Sequence, residues 1–211
     1  MKQPLPRVVV PRLSLYLRCL EELPPGVERI SSEALAELAG VTSAKLRKDL
    51  SYLGSYGVRG VGYHTEHLRY QIHRELGLTR DWPLVIVGMG NLGHALARYE
   101  GFREQGFHVV GVFDDDPAKV GGRVGHLAVE PLEALAATVQ EHEARIGVIA
   151  TPPQAAQAVA EMLAAAGVAS ILNFSPTVLR VPSHVHVRRV DVSSELQVLA
   201  CYLHRGTASA G

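Results

Sequence analysis

Hydrophobic positions along the chain fall into two blocks of different period. In the first block, apolar residues recur at 13, 15, 17, 20 and 23 and stop at Pro24-Pro25-Gly26, which predicts a helix over 11–23 closed by a turn. Ser31 or Ser32 can cap a second helix running to Ala39, and Gly40 follows where a left-handed residue is wanted. Thr42 or Ser43 can cap a third helix running to Leu53. On that helix Leu46, Leu50 and Leu53 make one apolar stripe at i, i+4 and i+7, while Ala44, Lys45, Arg47, Lys48, Ser51 and Tyr52 gather opposite it. Glycines at 54, 57, 60 and 62, interleaved with Tyr56, Val58, Arg59, Val61 and Tyr63, then predict two short strands with a tip at Arg59-Gly60. A helix over 64–76 closes the block. Two helices joined by a Gly-containing turn, the second with a basic outer face and a glycine-rich hairpin after it, are the parts of a winged helix-turn-helix.

From residue 84 onward strands and helices alternate. Strands are expected at 84–88, 107–113, 145–150, 169–173 and 185–190, and helices at 91–104, 131–142, 153–166 and 192–205. This alternation predicts an α/β fold with a Rossmann-type, doubly wound parallel sheet. Leu196, Val198, Leu199, Ala200, Tyr202 and Leu203 leave the last helix apolar around much of its circumference. Such a helix requires burial on more than one side, against a partner subunit or the other domain. With a boundary near 79–83, the expected division is a winged-helix DNA-binding domain at 1–79, a Rossmann domain at 80–190, and a C-terminal dimerisation helix and tail at 191–211.

The strongest chemical signal sits at the junction of the first Rossmann strand and helix. Leu84-Val85-Ile86-Val87 runs into Gly88-Met89-Gly90-Asn91-Leu92-Gly93, and His94 and Ala95 continue as a helix. Glycines in this register allow a tight turn, close approach of backbone to a pyrophosphate, and close packing of helix on sheet. The next strand ends on Asp114, 21 positions after Gly93, where a carboxylate accepts hydrogen bonds from an adenosine ribose and repels a 2′-phosphate. NAD(H) is favoured over NADP(H) on that ground. Asp115 and Asp116 either extend this acidic edge or form a solvated loop before Pro117. Thr151-Pro152 and Asn173-Phe174 end later strands at the carboxyl edge, where open parallel sheets bind ligands. Phe174 either covers a nicotinamide or plugs the core, and His94 lies near the phosphates or simply on the helix surface.

Charge sharpens the division. The 211 residues carry no net charge, yet residues 1–80 hold 12 Lys and Arg against 8 Asp and Glu, whereas residues 81–211 hold 9 against 13. A basic front half is compatible with a nucleic-acid partner. Cys19 and Cys201 stand far apart, and the pairs His64/His67 and His184/His186 lack accompanying Cys or acidic ligands, so no metal site is expected. No Ser/His/Asp or paired-carboxylate set can be assembled. No apolar run approaches the roughly 18 residues of a membrane span. Pro4, Pro6 and Pro11 break up any leader-like segment, so a cytoplasmic location is expected.

Taken in order, these segments resemble the Rex family of redox-sensing transcriptional repressors. The resemblance rests on the 44–52 helix Ala-Lys-Leu-Arg-Lys-Asp-Leu-Ser-Tyr, on Arg59-Gly60-Val61-Gly62-Tyr63, and on Gly-x-Gly-Asn-Leu-Gly at 88–93. It also rests on Phe113-Asp114-x-Asp116-Pro117 with Lys119, on Leu172-Asn173-Phe174, and on Asp191-Val192-x-x-Glu195-Leu196-Gln197. The resemblance implies a homodimer that represses from a palindromic operator, is released by NADH, binds NAD+ at the same site, and exchanges its last helix between subunits. It further implies Arg12, Tyr99 and Asp191 as links between cofactor state and DNA-domain position. The expected DNA face is Ser43, Ala44, Lys45, Arg47, Lys48, Ser51 and Tyr52 with the wing residues Arg59 and Gly60. The expected cofactor site is 88–94 with Asp114, Asp115, Thr151, Pro152, Asn173 and Phe174. Residues 175–211 offer little to hold a substrate, which argues against an enzyme. Two alternatives stay open: a small NAD-dependent oxidoreductase with a basic oligomerisation module, and a CoA- or nucleotide-binding ligase subunit.

Overall fold

The computed structural model describes residues 5–54 and 61–208, without the side chains of 206–208. Two compact units divide the chain, 1–80 and 81–211.

In the first unit the order is α1 (Val10–Glu21), β1 (Arg29–Ile30), α2 (Ser32–Leu38), α3 (Ser43–Ser51), β2 (Tyr63–His64) and α4 (Thr65–Glu75). Both predicted caps form. The Ser31 hydroxyl accepts the Ala34 N–H at 3.0 Å and the Thr42 hydroxyl accepts the Lys45 N–H at 3.3 Å, each satisfying an otherwise orphaned first-turn donor. Leu13, Tyr16 and Leu20 of α1 bury against Leu35, Leu46, Leu50, Leu53, Leu68 and Ile72. Each such leucine contributes about 1.5–3 kcal/mol. From the glycine-rich segment, Tyr63–His64 forms a strand that pairs antiparallel with Arg29–Ile30, ahead of α2. A two-residue strand before a helix carries no alternation to reveal it. The expected tip at Arg59 and Gly60 lies outside the described residues.

The second unit runs β3 (Trp82–Val87), α5 (Asn91–Ala97), α6 (Glu100–Glu104), β4 (Phe107–Phe113), β5 (Arg123–Val124), β6 (Leu127–Glu130), α7 (Leu135–Glu141), β7 (Ile146–Ile149), α8 (Pro153–Ala166), β8 (Ser170–Asn173), β9 (His186–Arg189) and α9 (Val192–Ala208). Its seven strands lie in the order β5-β6-β4-β3-β7-β8-β9, parallel except for the β5–β6 pair at one edge. That small antiparallel pair was not expected; the two residues of β5 are too short for a periodic signal. The single helix expected over 91–104 is two helices broken at Arg98 and Tyr99.

Alternation along β3 assigns its faces. Val85 and Val87 pack with Leu135, Val139, Val159 and Leu163 of α7 and α8, whereas Leu84 and Ile86 pack with Val112, Val129 and Leu96. The chain crosses from β3 to β4 on one side and continues to β7 on the other, so β3 borders the point where the winding reverses. Val87 stands level with Phe113 and with Ile149. Gly88, Asp114 and Ala150 therefore emerge together at the carboxyl edge, the place where sheets of this class open a ligand crevice.

Candidate cofactor and nucleic-acid sites

A cavity of about 580 Å³ opens at that edge. Its wall includes Gly88, Gly90, Asn91, Leu92, Asp114, Asp115, Thr151 and Pro152 from the expected set, joined by Asp116, Lys119 and Gln154. The three glycines have separate reasons to be glycine. Gly88 has φ +100°, and a Cβ there would lie 2.7 Å from the Ala150 carbonyl. At Gly93 a Cβ would meet the Gly88 oxygen at 1.8 Å, so the absence of a side chain lets α5 close onto the turn. Gly90 faces open space, with nothing within 4 Å of a Cβ. No side chain caps the start of α5. The free space over Gly90 and the uncapped helix start suit a phosphate.

Asp114 is 4% exposed and spoken for. Its oxygens accept the Met89 N–H at 2.6 Å and the Asp116 N–H at 2.9 Å, and the Lys119 ammonium donates to both at 3.1 and 3.2 Å. Burial pushes this carboxyl up, but the two backbone donors and Lys119 outweigh burial and hold it below the ordinary carboxylate range. Asp115, by contrast, is exposed at the cavity wall. The Thr151 hydroxyl oxygen is buried with no hydrogen-bond partner among the described residues. A buried orphan hydroxyl at a cavity wall is the mark of a group that expects a ligand. A glycine cradle, an acidic edge and an unpaired hydroxyl together fit a dinucleotide.

Other expected cofactor residues stand back from the cavity wall. Met89 is buried in the core beside Ile86 and Val112. His94 continues α5, its N–H bonded to the Gly90 carbonyl at 3.0 Å. Asn173 shapes its own turn, with the side-chain amide donating to the Thr177 carbonyl at 2.9 Å and its oxygen accepting the Ser175 N–H at 2.9 Å. Phe174 is partly buried against the Leu84 and Ile86 face of the sheet. Lys119 and Gln154 gave no spacing signal of their own; Lys119 stood out only within the family-like motif.

On α3 the outer face is as the periodicity implied. Ala44, Lys45, Arg47, Lys48 and Ser51 are exposed, while Ser43 and Tyr52 are half-buried. Lys45 and Lys48 make no ion pair with another described residue. Arg47 does: it donates to Glu33 at 2.9 Å and to the Ser32 hydroxyl at 3.0 Å, tying α3 to the start of α2. Sequence reasoning missed Asp49. It lies beside the Leu46, Leu50 and Leu53 stripe and is 2% exposed, fully engaged by Arg12 and Tyr16 of α1. An acid bordering a leucine stripe was the available signal, since such a group demands a cation.

Arg12 thus belongs to an interaction within the first unit. Tyr99 directly precedes α6, exposed, with its ring edge-on to Phe102 at 5.2 Å between centroids. Asp191 pairs with Arg189 and accepts the Ser193 N–H at 3.1 Å at the start of α9. That helix carries six large apolar side chains, Val192, Leu196, Val198, Leu199, Tyr202 and Leu203, between 45% and 73% exposed. Among the described residues no group of three or more His, Cys, Asp or Glu could hold a metal, and no helix is long and apolar enough to cross a membrane.

Fold and sites define a class: a helix-turn-helix unit joined to a nucleotide-binding Rossmann unit. Comparison with known proteins narrows it. Residues 4–51 match the family model "Putative DNA-binding protein N-terminus", and residues 79–177 match that of the CoA binding domain. The redox-sensing transcriptional repressor Rex of Streptomyces griseus is 57% identical over 202 residues, spanning 95% of this chain and 80% of that protein. Rex of Pelotomaculum thermopropionicum is 45% identical over 98% of this chain and 97% of its own. Among solved structures, RSP in complex with β-NADH superposes with a TM-score of 0.90 at 34% identity, covering 99% of both chains. RSP in complex with β-NAD+ and operator DNA gives 0.89 at 35% identity, covering 99% of this chain and 97% of that one. This chain belongs to the Rex family of redox-sensing transcriptional repressors.

Proposed function

We propose that the protein is a homodimeric repressor that grips a palindromic operator through α3 of each copy and lets go when NADH fills the cavity at the 88–93 turn. NAD+ competes for the same cavity without forcing release. The observation that carries this reading is the cavity itself, whose glycine cradle and orphan Thr151 hydroxyl await a dinucleotide in a chain that also displays a basic recognition helix. RSP, a relative, has been solved both with NADH and with NAD+ and operator DNA, which supports the pairing of the two ligands.

In this reading Ser43, Ala44, Lys45, Arg47, Lys48, Ser51 and Tyr52 contact DNA, with Arg59 and Gly60 reaching from the wing. Gly88, Gly90, Asn91 and Leu92 hold the pyrophosphate, with Met89, Gly93 and His94 shaping the turn and helix that carry them. Asp114, held by Lys119, faces the adenosine ribose, with Asp115 beside it at the cavity wall. Thr151 and Pro152 line the nicotinamide side, while Asn173 and Phe174 support that wall from β8. The exposed apolar face of α9 is covered by a second copy, and Tyr99 and Asp191 report cofactor state to the DNA-binding unit, where Arg12 acts on α3. The protein regulates and does not turn over its cofactor, works in the cytoplasm, and needs no metal.

A second reading comes from the family model matched at 79–177, which is described as CoA-binding. Related glycine turns can cradle the phosphates of CoA. Fluorescence anisotropy of a labelled duplex enriched by the protein from a random pool separates the two. Release by NADH, with NAD+ reversing it and CoA inert, supports the redox reading; release by CoA and indifference to NADH supports the other.

A further inference from the structure

Asp49 is a carboxylate buried at the inner edge of the helix that faces DNA. Three donors converge on it, and all come from α1. Arg12 forms a fork, Nε donating to one carboxylate oxygen at 2.5 Å and Nη2 to the other at 2.7 Å. The Tyr16 hydroxyl, fully buried, donates to the first oxygen at 2.8 Å. Lys45, four residues earlier on α3, adds a further positive charge, and the core of this unit holds Leu13, Leu17 and Leu20 of α1 with Leu46, Leu50 and Leu53 on or just after α3. Burial raises the Asp49 carboxyl, yet Arg12 and then Tyr16 outweigh it, and Asp49 stays ionised below its ordinary range. Burial, with Asp49 beside it, pushes the Tyr16 phenol up to about 12.

Leucines alone would seat α3 against α1 with some freedom, because apolar contact is non-directional. A planar guanidinium forked onto a planar carboxylate is not. It fixes both the rotation of α3 about its axis and its position along it. One turn of rotation error would be absurd, but a few tens of degrees would already move Lys45 and Lys48 relative to any groove they enter, since both stand on the same helix as Asp49, four residues and one residue before it.

We infer that Asp49 is a positioning residue for operator recognition, and that Arg12 and Tyr16 exist to hold it. The three set where the recognition face points, and so set the ratio of specific to non-specific DNA binding more than they set folding stability. Buried ion pairs are often replaceable by apolar residues without loss of stability, so conformational precision is the more economical reason for keeping this one. This inference rests on the proposed DNA-binding function.

Two variants of the full chain test it, each assayed against a duplex that the parent enriches from a random pool and against a scrambled duplex of the same composition. Asp49→Asn leaves the shape but removes the charge that Arg12 grips. Arg12→Met/Tyr16→Phe/Asp49→Leu removes every polar group of the cluster together and leaves no buried orphan. The triple variant is expected to melt near the parent temperature while its preference for the enriched duplex falls roughly tenfold to a hundredfold, about the discrimination carried by one good base contact. Asp49→Asn is expected to lose a similar preference, with DNA binding normalised to the fraction of protein that binds NADH stoichiometrically and with NADH affinity unchanged. If the triple variant keeps both its melting temperature and its preference, or if preference falls only in step with stability in both variants, the cluster is merely structural and the inference fails. A parent that shows no preference between the duplexes overturns the functional reading instead, which separates the two failures.

Discussion

The carboxylate of Asp114 accepts the backbone N–H of Met89 at 2.6 Å, so the end of β4 clamps the glycine turn that follows β3. A residue expected to meet the ribose directly is therefore also part of the cradle. Asp114→Ala is expected to weaken NADH and NADPH alike through loss of the clamp, by about 1.5–3 kcal/mol for a charged hydrogen bond, and to narrow the preference for NADH over NADPH. Calorimetry with both cofactors checks it; an unchanged NADH affinity would show that the clamp is idle. Acid tests the same contact. Because the folded carboxyl lies below its ordinary range, its stabilisation is present above the unfolded value of about 4 and is lost as pH falls through the folded one, so Asp114→Asn should flatten the acid limb of unfolding.

Gly90 and Gly93 should fail differently. Gly90 has space around it and φ −80°, so Gly90→Val is expected to fold and melt like the parent while losing NADH binding, because the branched side chain fills the space over the turn. Its DNA binding should persist and ignore NADH. Gly93→Ala must push against the Gly88 carbonyl, and overpacking of this kind costs about 1–3 kcal/mol or more, so its melting temperature should drop. Calorimetric melting and NADH titration of both variants separate the two effects; equal melting temperatures would refute the packing argument for Gly93.

Lys48 and Arg47 differ in prior engagement. Lys48 pairs with no other described residue, and Lys48→Ala is expected to weaken operator binding by about 1–3 kcal/mol if it reads a base edge, with cofactor affinity untouched. Arg47 already pairs with Glu33 and Ser32 and must give up those contacts to reach a phosphate, so Arg47→Ala should cost less and act uniformly across sequences, with a shallower salt slope. Anisotropy titrations at several salt concentrations distinguish them. Parent-like binding by both variants would remove α3 from the DNA interface.

If α9 carries the proposed dimer contact, removing it should leave a monomer. Val192, Leu196, Leu199, Tyr202 and Leu203 are too exposed to be satisfied within one chain, and a truncation after Arg189 is expected to sediment as monomer or aggregate. Operator affinity should collapse with it, since two half-sites read by unlinked domains lose the effective concentration of linkage. A stable dimer with normal affinity would assign α9 another role.

Periodic signals were legible in the sequence and pairwise ones were not. Leu46, Leu50 and Leu53 marked the inner face of α3, and the run into 88–93 marked the turn, because each depends on local spacing. The edge strand β5 was too short to show a period. Asp49 was overlooked because its partners are 33 and 37 positions away on α1, and the Asp114–Met89 clamp because it joins ends of two strands brought level only by the sheet. The break at Arg98 and Tyr99 was also hidden, as the apolar pattern runs through it without proline or glycine until Gly101.

Reciprocal linkage tests the central claim most directly. If NADH releases the operator through one shared equilibrium, the factor by which saturating NADH weakens operator binding must equal the factor by which saturating operator weakens NADH binding. Measuring the Kd for NADH with and without the enriched duplex should give a ratio in the range of about 5 to 150, matched by the reverse titration. An NADH affinity that is the same with and without DNA would contradict the proposal that the 88–93 cavity and α3 belong to one switch.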